Sequence, residues 1–206
     1  MPAPRAELFL ATSNPGKLAE FRALAAAYSA PIEIAALPEF SSLPPFDETF
    51  PTFAENAAGK ALHYSRFTEV LVAADDSGLV VPALGGAPGV HSARYAGPNA
   101  SDADRIAKLL AAMRDFTGDA RKTHFVCAIA LAQRGKACAI VSAQADGIIL
   151  DHPQGTAGFG YDPIFFFPPL GKTFAEITRE EKNEHSHRGI AVRKALDFLA
   201  HDLRFF

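Results

Sequence analysis

The chain has 206 residues, 49% of them hydrophobic and 21% charged, with a formal net charge of -3 at pH 7. A globular chain of this size buries a sizeable core, and its slight acidity excludes a general binder of nucleic-acid polymers or anionic membranes, which needs an excess of Lys and Arg. No apolar run reaches the roughly 18 residues of a membrane span, so we expect one cytoplasmic unit over residues 1–206, with any polyanion met by local charge.

Glu7 to Ala11 reads as a strand, and Thr12-Ser13-Asn14-Pro15-Gly16-Lys17 leads into a helix with apolar residues at Leu18, Phe21, Ala25 and Tyr28. Such a loop aims backbone N–H groups and the positive end of the helix dipole at one point, where Lys17 adds a full charge, so an anion is the natural occupant. It lacks the glycine-framed spacing of a P-loop, and a plain N-cap by Ser13 or Asn14 with Pro15 at the first helical position explains it equally well. Pro31 to Pro51 reads as an irregular loop carrying Glu39, Asp47 and Glu48. Thr52 to Glu55 forms a capping box for a helix with the stripe Phe53, Ala57, Ala61 and Tyr64, while Asn56 and Lys60 share another face.

The apolar run Val70 to Ala74 reads as a buried strand ending in Asp75 and Asp76, followed by Ser77-Gly78. Acids at the carboxyl end of a strand lie where open α/β sheets place their ligands, and alternation along the backbone sends the two side chains to opposite sides. A solvated Asp-Ser-Gly turn is the plainer reading. Ser101 caps a helix with the stripe Ile106, Leu109, Leu110 and Met113, in which nothing looks chemical. Thr123–Gln133 and Ala137–Ala145 are β-type runs joined by Arg134-Gly135, with Asp146-Gly147 as the next turn. Cys127 and Cys138 sit in apolar surroundings expected of free structural thiols.

Gly155 to Phe167 combines three glycines with Phe159, Tyr161 and Asp162, and flexible backbone beside flat rings suits a planar ligand. Thr178 and Glu181 form another capping box, and an amphipathic helix runs on to Leu203. Between them, His185 and His187 diverge on a helix, which disfavours zinc, so Lys182, His187 and Arg188 read better as a cationic cluster facing an anion or a carbonyl.

Seven segments, in order and covering nearly the whole chain, resemble the inosine triphosphate pyrophosphatase family: Thr12–Lys17, Thr52–Ala57, Ala74–Leu79, the glycine-rich Leu84–Val90, Ser92–Tyr95, Gly158–Pro163, and Glu181–Asn183 with Ser186–Arg188. The resemblance implies an α/β fold with an elongated, twisted mixed β-sheet flanked by helices, and two lobes with a central cleft. It implies a homodimer that uses Mg²⁺ to hydrolyse XTP, dITP and ITP to the monophosphate and pyrophosphate, cleansing the nucleotide pool. Carried over residue by residue, Thr12, Ser13, Asn14, Pro15, Gly16 and Lys17 hold the triphosphate, Asp76 is the general base and a metal ligand, and Ser77 touches substrate. Phe159, Gly160, Tyr161 and Asp162, with Lys182, His187 and Arg188, form the wall for the base.

One segment departs from the family. Where an acid-acid-Thr-Gly run is usual, this chain has Asp47-Glu48-Thr49-Phe50. The resemblance makes the first acid, Asp47, the second metal ligand, with Glu48 as its alternative and Asp75, Glu39 and Glu55 as weaker candidates.

Overall fold

The computed structural model describes residues 6–28 and 32–201. In chain order its elements are β1 (Ala6–Leu10), α1 (Pro15–Ala27), β2 (Ile32–Ala36), α2 (Phe53–Tyr64), β3 (Leu71–Val80), α3 (Asp102–Ala112), β4 (Lys122–Gln133), β5 (Lys136–Ile149), β6 (Phe165–Phe167), β7 (Lys172–Thr173), α4 (Arg179–His185) and α5 (His187–His201). Hydrogen bonds order the strands β2-β1-β3-β4-β5-β6-β7 in one mixed sheet, parallel where β1 meets β2 and β3, antiparallel where β6 meets β5 and β7. The chain gathers into two units, residues 1–76, 127–143 and 188–206 in the first, 77–126 and 144–187 in the second.

In the first unit the two-residue period of the strands sorts the core into two layers. Leu8, Leu10, Leu71, Ala73 and Cys127 pack with Phe21 and Leu24 of α1 and Val192, Leu196 and Leu199 of α5. Phe9, Val72, Ala74, Ala128 and Ala130 pack with Ala57, Ala61 and Tyr64 of α2. Each fully buried Leu or Phe contributes about 1.5–3 kcal/mol, so these layers fix the register of β3 firmly. Asp75 continues the odd-numbered layer and Asp76 the even one, which puts a carboxylate at the end of each.

In the second unit Leu79, Ile106, Leu109, Met113, Ile149, Ile164, Phe165 and Phe174 form a separate core. Phe125, Phe165 and Phe174 pack ring to ring within it, centroids 4.6–6.1 Å apart, Phe125 and Phe174 parallel and Phe165 tilted at 47° to both.

Several boundaries differ from those the sequence suggests. The segment after Pro31 contains β2, whose Ile32 and Ile34 are buried beside β1. β3 does not end at its acids, because Gly78 lets the strand pass beneath Ser92, whose Oγ accepts from the Leu79 N–H at 2.9 Å. β5 runs through Asp146-Gly147, and Gly147 is small because the Phe165 ring lies against it. Glu55 reaches the hydroxyl of Thr52, at 2.7 Å. Pro31 and Leu203 lie outside the described residues. Among the described residues no helix is long and apolar enough to cross a membrane.

Candidate active site

β1 pairs with β3 only as far as Leu10 and Ala73, and the Ala11 N–H closes the pairing on the Ala73 carbonyl. Beyond that point β1 turns into the Thr12–Lys17 loop while β3 continues into Asp75 and Asp76. The loop is a well-made cap: Asn14 Oδ1 accepts from the N–H groups of Gly16 and Lys17 at 2.8 and 3.3 Å, and Thr12 Oγ1 accepts from the Asn14 N–H at 3.1 Å. Asn14 is the N-cap, and with the amides of Thr12, Asn14, Gly16 and Lys17 engaged, the attraction for an anion rests on the helix dipole and Lys17.

Lys17 Nζ lies 2.8 Å from Asp75 Oδ2, and Arg188 Nε lies 3.8 Å from the same oxygen. The Arg188 side chain is buried, with Nη1 donating to Glu20 at 2.7 Å. Asp75 is 1% exposed, and burial alone would raise its pKa; Lys17, Arg188 and Lys60 outweigh that and hold it below the ordinary carboxylate value. Cys127 lies in the same surroundings, its thiol pushed up to about 12 by burial and the charge of Asp75. It is no nucleophile, and Cys127 and Cys138 are both free.

Asp76 has the opposite character. It is 8% exposed, and burial, followed by the charge of Glu48, pushes its pKa up to about 6, although the Asn56 hydrogen bond and Lys17 pull the other way. Asn56 organises this corner: Nδ2 donates to Asp76 Oδ2 at 3.0 Å and to the Phe50 carbonyl at 3.2 Å, while Oδ1 accepts from the Phe50 N–H at 3.0 Å. One side chain of α2 therefore clamps both β3 and the loop bearing Asp47 and Glu48. On the next turn of α2, Lys60 Nζ donates to Glu48 Oε1 at 2.7 Å. Burial lowers the pKa of Lys60, but Glu48, Asp75 and Asp76 more than restore it, so its net shift is upward and it stays charged.

The paired acids of this corner test the fit of a magnesium ion. Glu48 is half-buried with its charge felt at Asp76, whereas Asp47 is exposed. Among the described residues no group of three or more His, Cys, Asp or Glu side chains is arranged to hold a metal. Two hard carboxylates, Asp76 and Glu48, suit an ion that takes one or two carboxylates and keeps its waters.

In the second unit the Gly155–Asp162 segment is stitched to its surroundings. Asp162 is buried; its Oδ2 accepts from the Phe159 N–H at 2.8 Å and pairs with Lys182 Nζ. The Lys182 ammonium lies 4.8 Å from the centroid of the Phe159 ring, which is 38% exposed. Tyr161 is buried, and its hydroxyl donates to the Ser92 carbonyl at 2.9 Å. Gly158 has φ +76°, and a side chain there would strike the Asp162 carboxylate. The buried His187 ring stacks on Phe125, centroids 4.6 Å apart and planes at 11°. Ser77 is half-buried, next to Asp76 along β3.

Lys17, Asp75, Asp76, Glu48 and Arg188 thus meet in the first unit, and Phe159, Asp162 and Lys182 in the second. Sequence reasoning placed Asn56 and Lys60 on one helical face without giving either a role. Their four-residue spacing was visible; that this face looks onto β3 and the Asp47–Phe50 loop was not.

Residues 8–198 match the model of the Ham1 family. The chain is 50% identical over 188 residues to a dITP/XTP pyrophosphatase of Geobacillus kaustophilus, covering 91% of each protein, and 52% identical over 190 residues to one of Gloeobacter violaceus, covering 92% of each. A solved structure of a HAM1 protein from Coxiella burnetii superposes with a TM-score of 0.86 at 42% identity, over 96% of this chain and all of that one. The motif series and the fold agree over nearly the whole length: the chain belongs to the Ham1 family.

Proposed function

We propose that this protein is a magnesium-dependent pyrophosphohydrolase of deaminated purine nucleoside triphosphates, converting XTP, dITP and ITP to the monophosphate and pyrophosphate. The observation that carries the reading is Asp76: a buried carboxyl, bonded to Asn56, whose pKa is pushed up to about 6 by burial and the charge of Glu48, and within the field of Lys17. A carboxylate tuned toward neutrality is suited to take the proton of a water attacking the α phosphorus. Relatives that match over nine-tenths of both lengths, and carry the name dITP/XTP pyrophosphatase, support the substrate class.

Lys17, at the dipole end of α1, neutralises phosphate charge as it develops, and Thr12 to Gly16 shape the loop beneath it. We assign the metal to Asp76 and Glu48 in preference to Asp47, because Glu48 is the acid whose field reaches Asp76. Bound there, Mg²⁺ would neutralise phosphate oxygens and acidify a coordinated water. Lys60 keeps the Glu48 carboxylate oriented.

Phe159 offers a ring face for stacking, and Lys182, His187 and Arg188 are the donors we assign to the purine, Arg188 also serving as counter-charge to Glu20 and Asp75. A 6-carbonyl accepts such donors, whereas a 6-amino group leaves them unpaired at about 1–3 kcal/mol per group, which sets deaminated purines apart from adenine. The family resemblance supports a homodimer working in the cytoplasm.

Purified protein with Mg²⁺ should release pyrophosphate from ITP, XTP and dITP while leaving ATP nearly intact. Release of orthophosphate, or ATP turned over as readily as ITP, overturns the reading.

A further inference from the structure

Phe159 presents its ring from a segment that borders open space. A hollow of about 520 Å³ lies beside it, lined by Ile106, Leu110, Pro153, Gly158, Phe159 and Pro163 among others. Gly160, with φ +63°, sits in the left-handed region, so the Phe159–Gly160 peptide has few steric restraints of its own. Yet that peptide is pinned at both ends. Its carbonyl accepts from the Asp162 N–H at 3.3 Å, and its N–H donates to Asp102 Oδ2 at 2.7 Å.

Asp102 is held ready for this. Its other oxygen pairs with Arg105, and Arg105 Nη1 in turn donates to the carbonyls of Ala93 and Ala100, each at 2.8 Å. Burial raises the Asp102 pKa, and the Gly160 N–H and Arg105 more than offset it, so the acceptor is ionised. A charge-assisted bond to a backbone N–H is stronger than a neutral one. Without it the Phe159–Gly160 peptide keeps only the bond from the Asp162 N–H, so the plane beneath the Phe159 ring is held at one end instead of two.

We propose that Asp102 is a positioning residue for base recognition: by holding the Gly160 amide it fixes the plane on which Phe159 is presented. The inference rests on the base-side reading of Phe159, Lys182 and His187. It concerns binding of the base and leaves the phosphate chemistry of the first unit untouched.

The test uses the whole enzyme with three readouts: KM and kcat for ITP, inhibition by IMP, and inhibition by pyrophosphate. Asp102→Ala should raise KM for ITP and the IMP inhibition constant about tenfold, the scale of one lost charged hydrogen bond, with kcat and pyrophosphate inhibition changed less than about threefold. Asp102→Asn keeps an acceptor for the Gly160 N–H and should restore most of the difference, although it loses the charge facing Arg105. If Asp102→Ala leaves ITP and IMP unaffected, or weakens IMP and pyrophosphate alike, the proposal fails. Failure of Asp102→Asn to rescue overturns it too. A wild-type enzyme that neither cleaves ITP nor binds IMP would sink the functional reading itself, and this proposal with it.

Discussion

The acidic end of β3 and the Gly155–Asp162 segment both present polar groups, but they are built on opposite principles. Around Asp75 and Asp76 every charged group sits on a strand or helix or is clamped to one, and the two acids pull opposite ways: the cations around Asp75 more than offset its burial and hold its pKa down, whereas Asp76 is held above its ordinary pKa and costs stability when ionised. Around Phe159 the backbone is glycine-rich and irregular, and hydrogen bonds to Asp162, Asp102 and Ser92 supply the rigidity that regular structure does not. The difference teaches a division of labour. On the proposed reading, catalysis by charge needs positions that cannot relax, and the core layers that fix the register of β3 provide them; recognition of a flat base needs one ring face held at one angle, which a few bonds achieve.

The largest effect expected from breaking that contrast is at Asp76. Asp76→Asn should lower kcat by about 10²–10⁴-fold, the usual contribution of a general base. The same change should stabilise the metal-free protein. The folded pKa, about 6, lies above the unfolded value near 4, so Asp76 favours folding most when protonated and that favour is lost as pH rises from 4 through 6. At pH 7 the buried charge therefore costs at most about 3 kcal/mol, which Asn removes while retaining an acceptor for Asn56. Thermal unfolding in chelator should show the variant melting above wild type at pH 7.5, with the gap closing near pH 4. A variant that melts lower at pH 7.5 would show that the strain lies elsewhere.

Glu48 and Asp47 provide the next contrast. Glu48→Gln should weaken Mg²⁺ binding, measured by calorimetry, by about tenfold or more, and Asp47→Asn should leave it within about twofold. Because Glu48 is the main charge raising the Asp76 pKa, Glu48→Gln should also shift the acid limb of the kcat/KM profile to lower pH. If Asp47→Asn proves the more damaging, the acid assignment reverses to the one the family pattern suggests.

How much of this was legible beforehand follows from which forces are local. A cap by Ser13 or Asn14, which the structure resolves as Asn14, Pro15 at the first helical position, the Ser101 and Thr178 caps and the opposite facing of Asp75 and Asp76 depend on a few neighbouring residues, and the structure has them. β2 was hidden because five prolines in residues 31–51 mask a short alternating strand whose partner, β1, lies a helix away. The continuation of β3 past its acids was hidden because Ser77-Gly78 carries a turn signature, and only Ser92, from a distant loop, shows why a strand passes there. Among site residues, the missed ones act across elements: Asn56 and Lys60 matter through β3 and the Asp47–Phe50 loop, and Asp102 through Gly160. A helix read by itself shows a cap and a stripe, and in α3 those explain Asp102 without remainder.

The smallest expected effect, and the sharpest for the recognition side, is Phe159→Leu. Leucine keeps apolar bulk at a position already 38% exposed, so little burial changes and the melting temperature should stay within a degree or two. What it removes is the flat face, along with the contact between the ring and the Lys182 ammonium. Stacking of a base on an aromatic side chain is worth about 1–3 kcal/mol against alanine, and leucine recovers part of it, so KM for ITP should rise roughly five- to tenfold with kcat nearly constant. Phe159→Tyr should stay close to wild type. Pyrophosphate inhibition should not move in either variant, since the groups assigned to phosphate all lie in the first unit. A fall in kcat with KM unchanged would mean that the ring serves the chemical step, and the division between the two regions would have to be redrawn.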